Sequence, residues 1–549
     1  MRKVLLLLTL GLFALTAFAV PAKRERCWLT LADGTSIEAT RMGDETIHFY
    51  VTDDGQYLQC DNQDIAHFVE PDVIHNRWKA RLEKRQKARA SRKSARSREH
   101  ARKTMTGSKR GLVILVQFPK TPFHYTNEDF QHQFNDTGYT DDINIGSVHD
   151  YFLDASYGQF DFSFDIVGPI IMSQPLEYYG ANNGNGDDQH PAIMVAEAVQ
   201  MIDDEVDFSQ YDWDGDGVVE QIYIIHSGHD EAQSNTRNDI WSHAWTLTEA
   251  VEEGDGDGPV TVDGVLIDSY ATSSELRGKT GYAISGIGTA CHEFSHCFGL
   301  PDFYDTVGRN FGMSNWDLMD YGEYNGDGGN PAGFTSYERM FCGWLNPIEL
   351  IEPTAVQNMP ALTSEPVAYI LRNSGKYDEY YLFENRQKVS WDARLSGHGM
   401  LILHVDYDEE AWFENTVNTV RDHQRMTIIP ADNMPIFSLT LAGDPWPGTA
   451  GKTELSDSST PAATLYNPNA DGNKLMNHSI TEITESADGL ISFIFDEEAL
   501  GLNEVHSSQS IVHSDIYDLS GRALSTFNAQ RSTLRRGIYI QDGKKLLIR

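Results

Sequence analysis

Cysteine, basic charge and long apolar runs are all scarce in this chain, and each scarcity removes a class of protein. Five cysteines among 549 residues are too few, and odd in number, for a disulfide scaffold. Cys27 and Cys60 are near enough in sequence to pair within one N-terminal unit. Cys291, Cys297 and Cys342 are expected as structural or free thiols. Lysine and arginine total 43 against 81 acids, a formal net charge of -38. A phosphate backbone needs a basic surface, so nucleic acid is excluded as a partner. Thirteen of the 43 basic residues crowd between Arg81 and Arg110, which leaves the rest more acidic still. The one long apolar run, Val4 to Phe13, follows Arg2 and Lys3 and precedes Ala17-Phe18-Ala19. That order reads as a secretory signal peptide cut after Ala19. The run is short for a transmembrane anchor, and none is expected elsewhere.

The richest stretch is His292-Glu293-Phe294-Ser295-His296-Cys297-Phe298-Gly299-Leu300-Pro301-Asp302. Residues four apart share one face of a helix, so His292 and His296 can direct two imidazoles at one ion. Glu293 can hold a water beside that ion, which makes the five-residue core a zincin signature. Gly299 lets the chain leave the helix in the left-handed conformation. Pro301 prevents the helix from resuming, and the turn can return Asp302 as a third ligand. Catalytic zinc takes three protein ligands and keeps one position open. The expected set is therefore His292, His296 and Asp302, with Glu293 as general base. Glu338 is the reserve for the third ligand.

Downstream, Trp316-Asp317-Leu318-Met319-Asp320-Tyr321-Gly322 offers Met319 as a methionine turn below the metal. Tyr321 is expected as a wall of the cleft, or as a group that reaches the developing oxyanion. Upstream, Asp212-Trp213-Asp214-Gly215-Asp216-Gly217-Val218-Val219-Glu220 alternates carboxylates with glycines. Such a loop can curl its oxygens around calcium, a hard cation with 6–8 oxygen ligands. Asp212, Asp214, Asp216 and Glu220 are the expected ligands, with the Val218 carbonyl.

Composition divides the chain further. Residues 1–19 are the signal peptide, and 20–108 are expected as a propeptide of short strands ending in a basic linker. Residues 109–345 hold the chemistry, opening on the buried strand Gly111 to Phe118. Residues 346–500 read as a β-sandwich appendage, and 501–549 as a small β module.

These motifs resemble the immune inhibitor A-like secreted zinc metalloproteases, a metzincin-like peptidase family. The resemblance is carried by Gly288-Thr289 with the motif above, Phe303-Tyr304-Asp305, Trp316 to Gly322, and Gly343-Trp344-Leu345. It is also carried by Glu384-Asn385-Arg386, His404-Val405-Asp406, Ser147 to Phe152, the acidic loop and Trp241-Ser242-His243. It covers roughly residues 111–450 and implies an endopeptidase made as a preproprotein with structural calcium. Ile516 to Arg522, Gly537 to Ile540 and Gly543-Lys544-Lys545 are similar to type IX secretion sorting domains. That implies export by a Gram-negative bacterium, to the medium or the outer cell surface.

The expected fold class is thus α+β and multi-domain: a metzincin-like protease domain, an N-terminal propeptide module, a β-sandwich appendage and a small β C-terminal domain. The expected function is zinc-dependent hydrolysis of peptide bonds in extracellular proteins. Expected partners are protein or peptide substrates, the chain's own propeptide as inhibitor and the secretion machinery. Two rivals remain open, a surface adhesin on a protease-like fold and a metal-dependent amidase acting on cell-wall peptides.

Overall fold

The computed structural model describes residues 18–61, 63–93, 105–183, 186–434 and 440–496, and five short strands between 503 and 548. Residues 1–17 of the expected signal peptide 1–19 and most of the linker tail lie outside the described residues. Among the described residues, no helix is long and apolar enough to cross a membrane. The architecture is mixed α/β, with several sheets and few long helices.

The central sheet has six strands. In spatial order they are Phe18–Ala19, His243–Thr246, Ser269–Leu276, Ile222–His229, Gly107–Gln117 and Phe160–Ile171. The last four run parallel to their neighbours, whereas His243–Thr246 runs antiparallel to Ser269–Leu276. Strands buried on both faces read as continuous apolar runs. Leu112, Val113, Ile114, Leu115 and Val116 are accordingly all buried. Val113 and Leu115 face a core containing Phe294 of the motif helix, and Leu112, Ile114 and Val116 face a second core under the helix Pro191–Ile202. The sheet therefore fixes the motif helix Gly288–His296 from below.

Residues 26–69 close into a five-stranded barrel, followed by the helix Pro71–Lys93. Cys27 and Cys60 stand in the barrel unbridged, and all five cysteines are free thiols, so the pairing considered from sequence is not formed. The barrel is docked: Ile47, Phe49, Ile74 and Trp78 share a small core with Val307, five residues past the motif.

Beyond residue 345, a five-stranded sheet (Ile348–Glu349, Tyr369–Asn373, Lys376–Arg386, Gly399–Asp406, Met426–Ile428) faces a three-stranded sheet (Thr354–Met359, Ile480–Glu485, Ile491–Phe495). Leu371, Tyr381, Phe383 and Ile402 point into the layer between them. Side chains alternate across a strand, so Ile370, Leu382, Leu401 and Leu403 point the other way, into the core that holds Phe294 and Met319. The main core thus runs across residue 345. The C-terminal strands form their own sheet, in the order Asn503–Glu504, Lys544–Ile548, Gly537–Gln541, Ile516–Asp518, Ala523–Ser525. Parts of the sorting-domain motifs lie outside the described residues.

Candidate metal centre

The motif helix approaches the loop after Met319 more closely than any side chain allows. A Cβ at Gly288 would lie 2.0 Å from the Glu323 carbonyl oxygen. The helix closes at Gly299, whose φ of 92° is the left-handed value that glycine adopts without strain. Pro301 follows, and Asp302 is turned back towards the helix.

The three expected ligands meet. His292 Nε2 lies 3.2 Å from His296 Nε2 and 3.2 Å from Asp302 Oδ1, and His296 Nε2 is 3.6 Å from that same oxygen. All three residues are buried. Each imidazole is oriented from behind. His292 Nδ1 donates to the Leu318 carbonyl and His296 Nδ1 to the Leu300 carbonyl, both at 2.8 Å. A ring that donates through Nδ1 presents its Nε2 lone pair. With both rings neutral, two such lone pairs face each other and can share one cation, and ligands of one tetrahedral zinc stand about 3.3 Å apart. The donor set, two imidazoles and a carboxylate, also suits zinc. The residues present therefore fit the ion.

Electrostatics favour a positive charge at this point. Burial opposes charge on His292, yet Glu323, Asp302 and Glu293 outweigh it and push its pKa up to about 10. Burial pushes His296 down to about 3. Glu293 is fully buried, and neither of its carboxylate oxygens has a hydrogen-bond partner. Desolvation, helped by Glu323 and Asp302, holds its pKa well above the carboxylate range, although the His292 charge pulls it down. A cation bound beside it would reverse that balance.

Met319 is buried, and its carbonyl accepts the Phe303 amide at 2.8 Å. Tyr321 is largely buried and covered by Arg24, whose guanidinium sits 3.9 Å from the ring centroid. Glu338 caps its own helix through the Thr335 amide and does not join the three-ligand group.

Three contributors carry no recognisable sequence signal. Asn415 donates from Nδ2 to Asp302 Oδ2 at 2.7 Å and accepts the Asp302 amide at 2.9 Å. Glu323 is buried, and burial raises its pKa to about 8 against the pull of His292. The third contributor is the segment Val20–Arg24. Trp241 Nε1 donates to the Val20 carbonyl at 3.1 Å, Tyr324 Oη to Pro21 O at 2.9 Å, and Lys23 N to Ala232 O at 3.1 Å. The strand Phe18–Ala19 pairs antiparallel with the edge strand His243–Thr246 and lies against the motif helix.

In the acidic loop, Asp212, Asp214 and Asp216 converge within 4.8 Å. Asp212 carboxylate oxygens accept the amides of Gly215, Asp216 and Gly217. Glu220 stands outside this trio, and its Oε2 accepts the Trp213 amide at 2.7 Å. Val218 is tied in through its N–H, which donates to Asp216 Oδ1 at 2.9 Å.

The stretch that holds this cluster is similar to known proteins. Residues 112–344 match the family model for the Immune inhibitor A peptidase M6 catalytic domain. The chain is 26% identical over 284 residues to Pre-pro-metalloprotease PrtV of Vibrio cholerae serotype O1, covering 43% of this chain and 30% of that protein. It is 26% identical over 293 residues to Immune inhibitor A of Bacillus thuringiensis subsp. alesti, covering 44% of this chain and 41% of that protein. The chain therefore spans less than half the length of either relative, and its similarity to the peptidase M6 catalytic domain covers residues 112–344.

Proposed function

We propose that this protein is an exported, zinc-dependent endopeptidase made as a latent precursor. The observation that carries the reading is the meeting of His292 Nε2, His296 Nε2 and Asp302 Oδ1 beside the buried Glu293 carboxylate, which has no hydrogen-bond partner and lies 4.0 Å from His296 Nε2. When bound, zinc would lower the pKa of a water towards ~7 and polarise the scissile carbonyl. Glu293 takes the proton of the attacking water on a carboxylate oxygen and later delivers it to the leaving amine nitrogen. The Leu300 and Leu318 carbonyls and Asn415 hold the three ligands in orientation. Met319 floors the site, and Tyr321 stands ready at its wall.

Residues 20–108 act as the inhibitor. The reading is supported by the Val20–Arg24 segment, which crosses beside the motif helix and covers Tyr321 with Arg24. The Asp212–Glu220 loop holds structural calcium through Asp212, Asp214 and Asp216, a role supported by their convergence. Residues 346–500 serve as the β appendage. Residues 501–549 address the protein to type IX secretion from a Gram-negative cell.

Zymography tests the activity. The processed protein should clear casein or gelatin, lose that ability with a chelator and regain it with zinc. Clearing of cell-wall material alone would favour the amidase, and no clearing at all the adhesin.

A further inference from the structure

The barrel does more than cover the cleft. Its strand Ser36–Gly43 carries Arg41, which is 3% exposed and whose guanidinium reaches across to Glu231 and Trp241 beyond the barrel. Nη1 donates to the Glu231 carbonyl at 2.5 Å and Nη2 to Glu231 Oε1 at 2.9 Å. The guanidinium carbon lies 4.4 Å from the centroid of the Trp241 ring. The same Oε1 accepts Asn182 Nδ2 at 2.9 Å. Nearby, Asp188 Oδ2 accepts the Trp241 amide at 2.9 Å, and its buried Oδ1 has no hydrogen-bond partner.

We propose that Glu231, Trp241, Asn182 and Asp188 form a subsite of the cleft for a basic substrate side chain, arginine by preference, which Arg41 fills while the barrel is attached. The inference rests on the reading of residues 20–108 as a removable inhibitor of a protease.

Three features separate this pocket from a simple ion pair that glues two modules together. First, Glu231 is buried and Arg41 is the cation paired with it, so withdrawal of Arg41 leaves a desolvated carboxyl group without that partner. A buried charge without a partner is costly, and a cation entering the recess removes that cost. Second, the recess has the shape of a guanidinium. It offers a carbonyl and a carboxylate side by side for two N–H groups, and an aromatic face for the planar cation. A lysine ammonium would use only part of this. Third, its aromatic wall touches the Val20–Arg24 segment. Trp241 both stacks on Arg41 and donates to the Val20 carbonyl. It also lies two residues before the edge strand His243–Thr246, on which Phe18–Ala19 pairs. A peptide lying where Val20–Arg24 lies would pass this recess on its way to Tyr321.

The test begins on the full chain. Arg41→Ala should vacate the recess and let methylguanidinium bind there. The melting temperature of the variant should then rise in a saturable way, by about 2–4 °C at tenfold excess over the dissociation constant. Butylammonium or sodium chloride at equal ionic strength should do markedly less, and wild type should show no rise. If Arg41→Ala does not fold, Arg41→Gln, which keeps the stem, takes its place. No selective rise in the folded variant, or the same rise in wild type, overturns the subsite.

The second arm uses the full chain after cleavage in its linker, with peptides that differ only by Arg or Gln at successive positions. One position should favour Arg by about tenfold or more in kcat/KM, a typical yield for one charge-assisted contact. Glu231→Gln should collapse that ratio towards one. Equal cleavage of Arg and Gln peptides at every position overturns the proposal while leaving the protease reading intact. Absence of all cleavage, together with selective methylguanidinium binding, removes the protease reading and with it the substrate role of the pocket.

Discussion

Asn415→Gly probes the metal centre from a residue 113 positions away from the ligand it serves. Asn415 has φ 51°, a left-handed value that alanine resists and glycine accepts, so glycine removes the side chain without adding strain. Two hydrogen bonds disappear, Nδ2 to Asp302 Oδ2 at 2.7 Å and the Asp302 amide to Oδ1 at 2.9 Å. The first holds a carboxylate, and bonds to charged groups contribute about 1.5–3 kcal/mol. Part of that is recovered by water and by rotation of the freed carboxylate. Loss of a group that orients a metal ligand typically weakens binding by about 10–100-fold, which corresponds to about 1.4–2.7 kcal/mol. The assay is competition for zinc against a chromophoric chelator, followed by peptidase activity at saturating zinc. Affinity should fall in that range while activity at saturation recovers substantially. Zinc affinity within about twofold of wild type would refute the reasoning, because Asp302 would then be either self-oriented or not a ligand.

Three further outcomes are expected. Asp214→Ala should abolish the rise in melting temperature that millimolar calcium gives wild type, since a ligand of the folded state stabilises by mass action; an unchanged calcium response would move the site elsewhere. Full chain should be inactive and become active on cleavage between about Lys84 and Arg110, and equal specific activity before and after cleavage would deny residues 20–108 an inhibitory role. Asp444 accepts Trp316 Nε1 at 3.0 Å, and burial, reinforced by Asp432, pushes its pKa up to about 7. A raised acid pKa contributes stability that is present below the unfolded value near ~3.9 and is lost as pH rises through the folded value. Asp444→Asn should therefore match wild type near pH 4, gain on it by on the order of a few kcal/mol up to about pH 7, and gain no more above; a stability difference independent of pH would contradict this.

How far the site can be read from the chain depends on sequence distance. His292, Glu293, His296, Gly299 and Asp302 lie within eleven residues, and helix periodicity followed by a left-handed exit brings them together with no knowledge of the rest. The run Leu112–Val116 likewise announces a strand buried on both faces. The groups that orient these residues come from far away. The Leu318 carbonyl behind His292 is main chain, which no residue type reports. Asn415 acts from beyond the break at 345/346 that composition suggests. The alternating strands Tyr369–Asn373 and Lys376–Arg386 bury one face against the three-stranded sheet and the other against the protease core, and apolar alternation alone cannot say which partner a face will meet. Glu220 shares the spacing of the acidic loop, and one of its carboxylate oxygens accepts the Trp213 amide. Arg24 and Arg41 are ordinary basic residues in sequence, and only the docked barrel shows that they reach Tyr321 and Glu231.

Glu293→Ala tests the central claim most directly, because Glu293 handles a proton and is not one of the three converging ligands. General base catalysis typically contributes about 10²–10⁴-fold. The processed variant should therefore retain one zinc per chain by elemental analysis while its peptidase activity falls by at least about a hundredfold. Activity within about tenfold of wild type on the same zinc-loaded sample would contradict the assignment of Glu293 as the base.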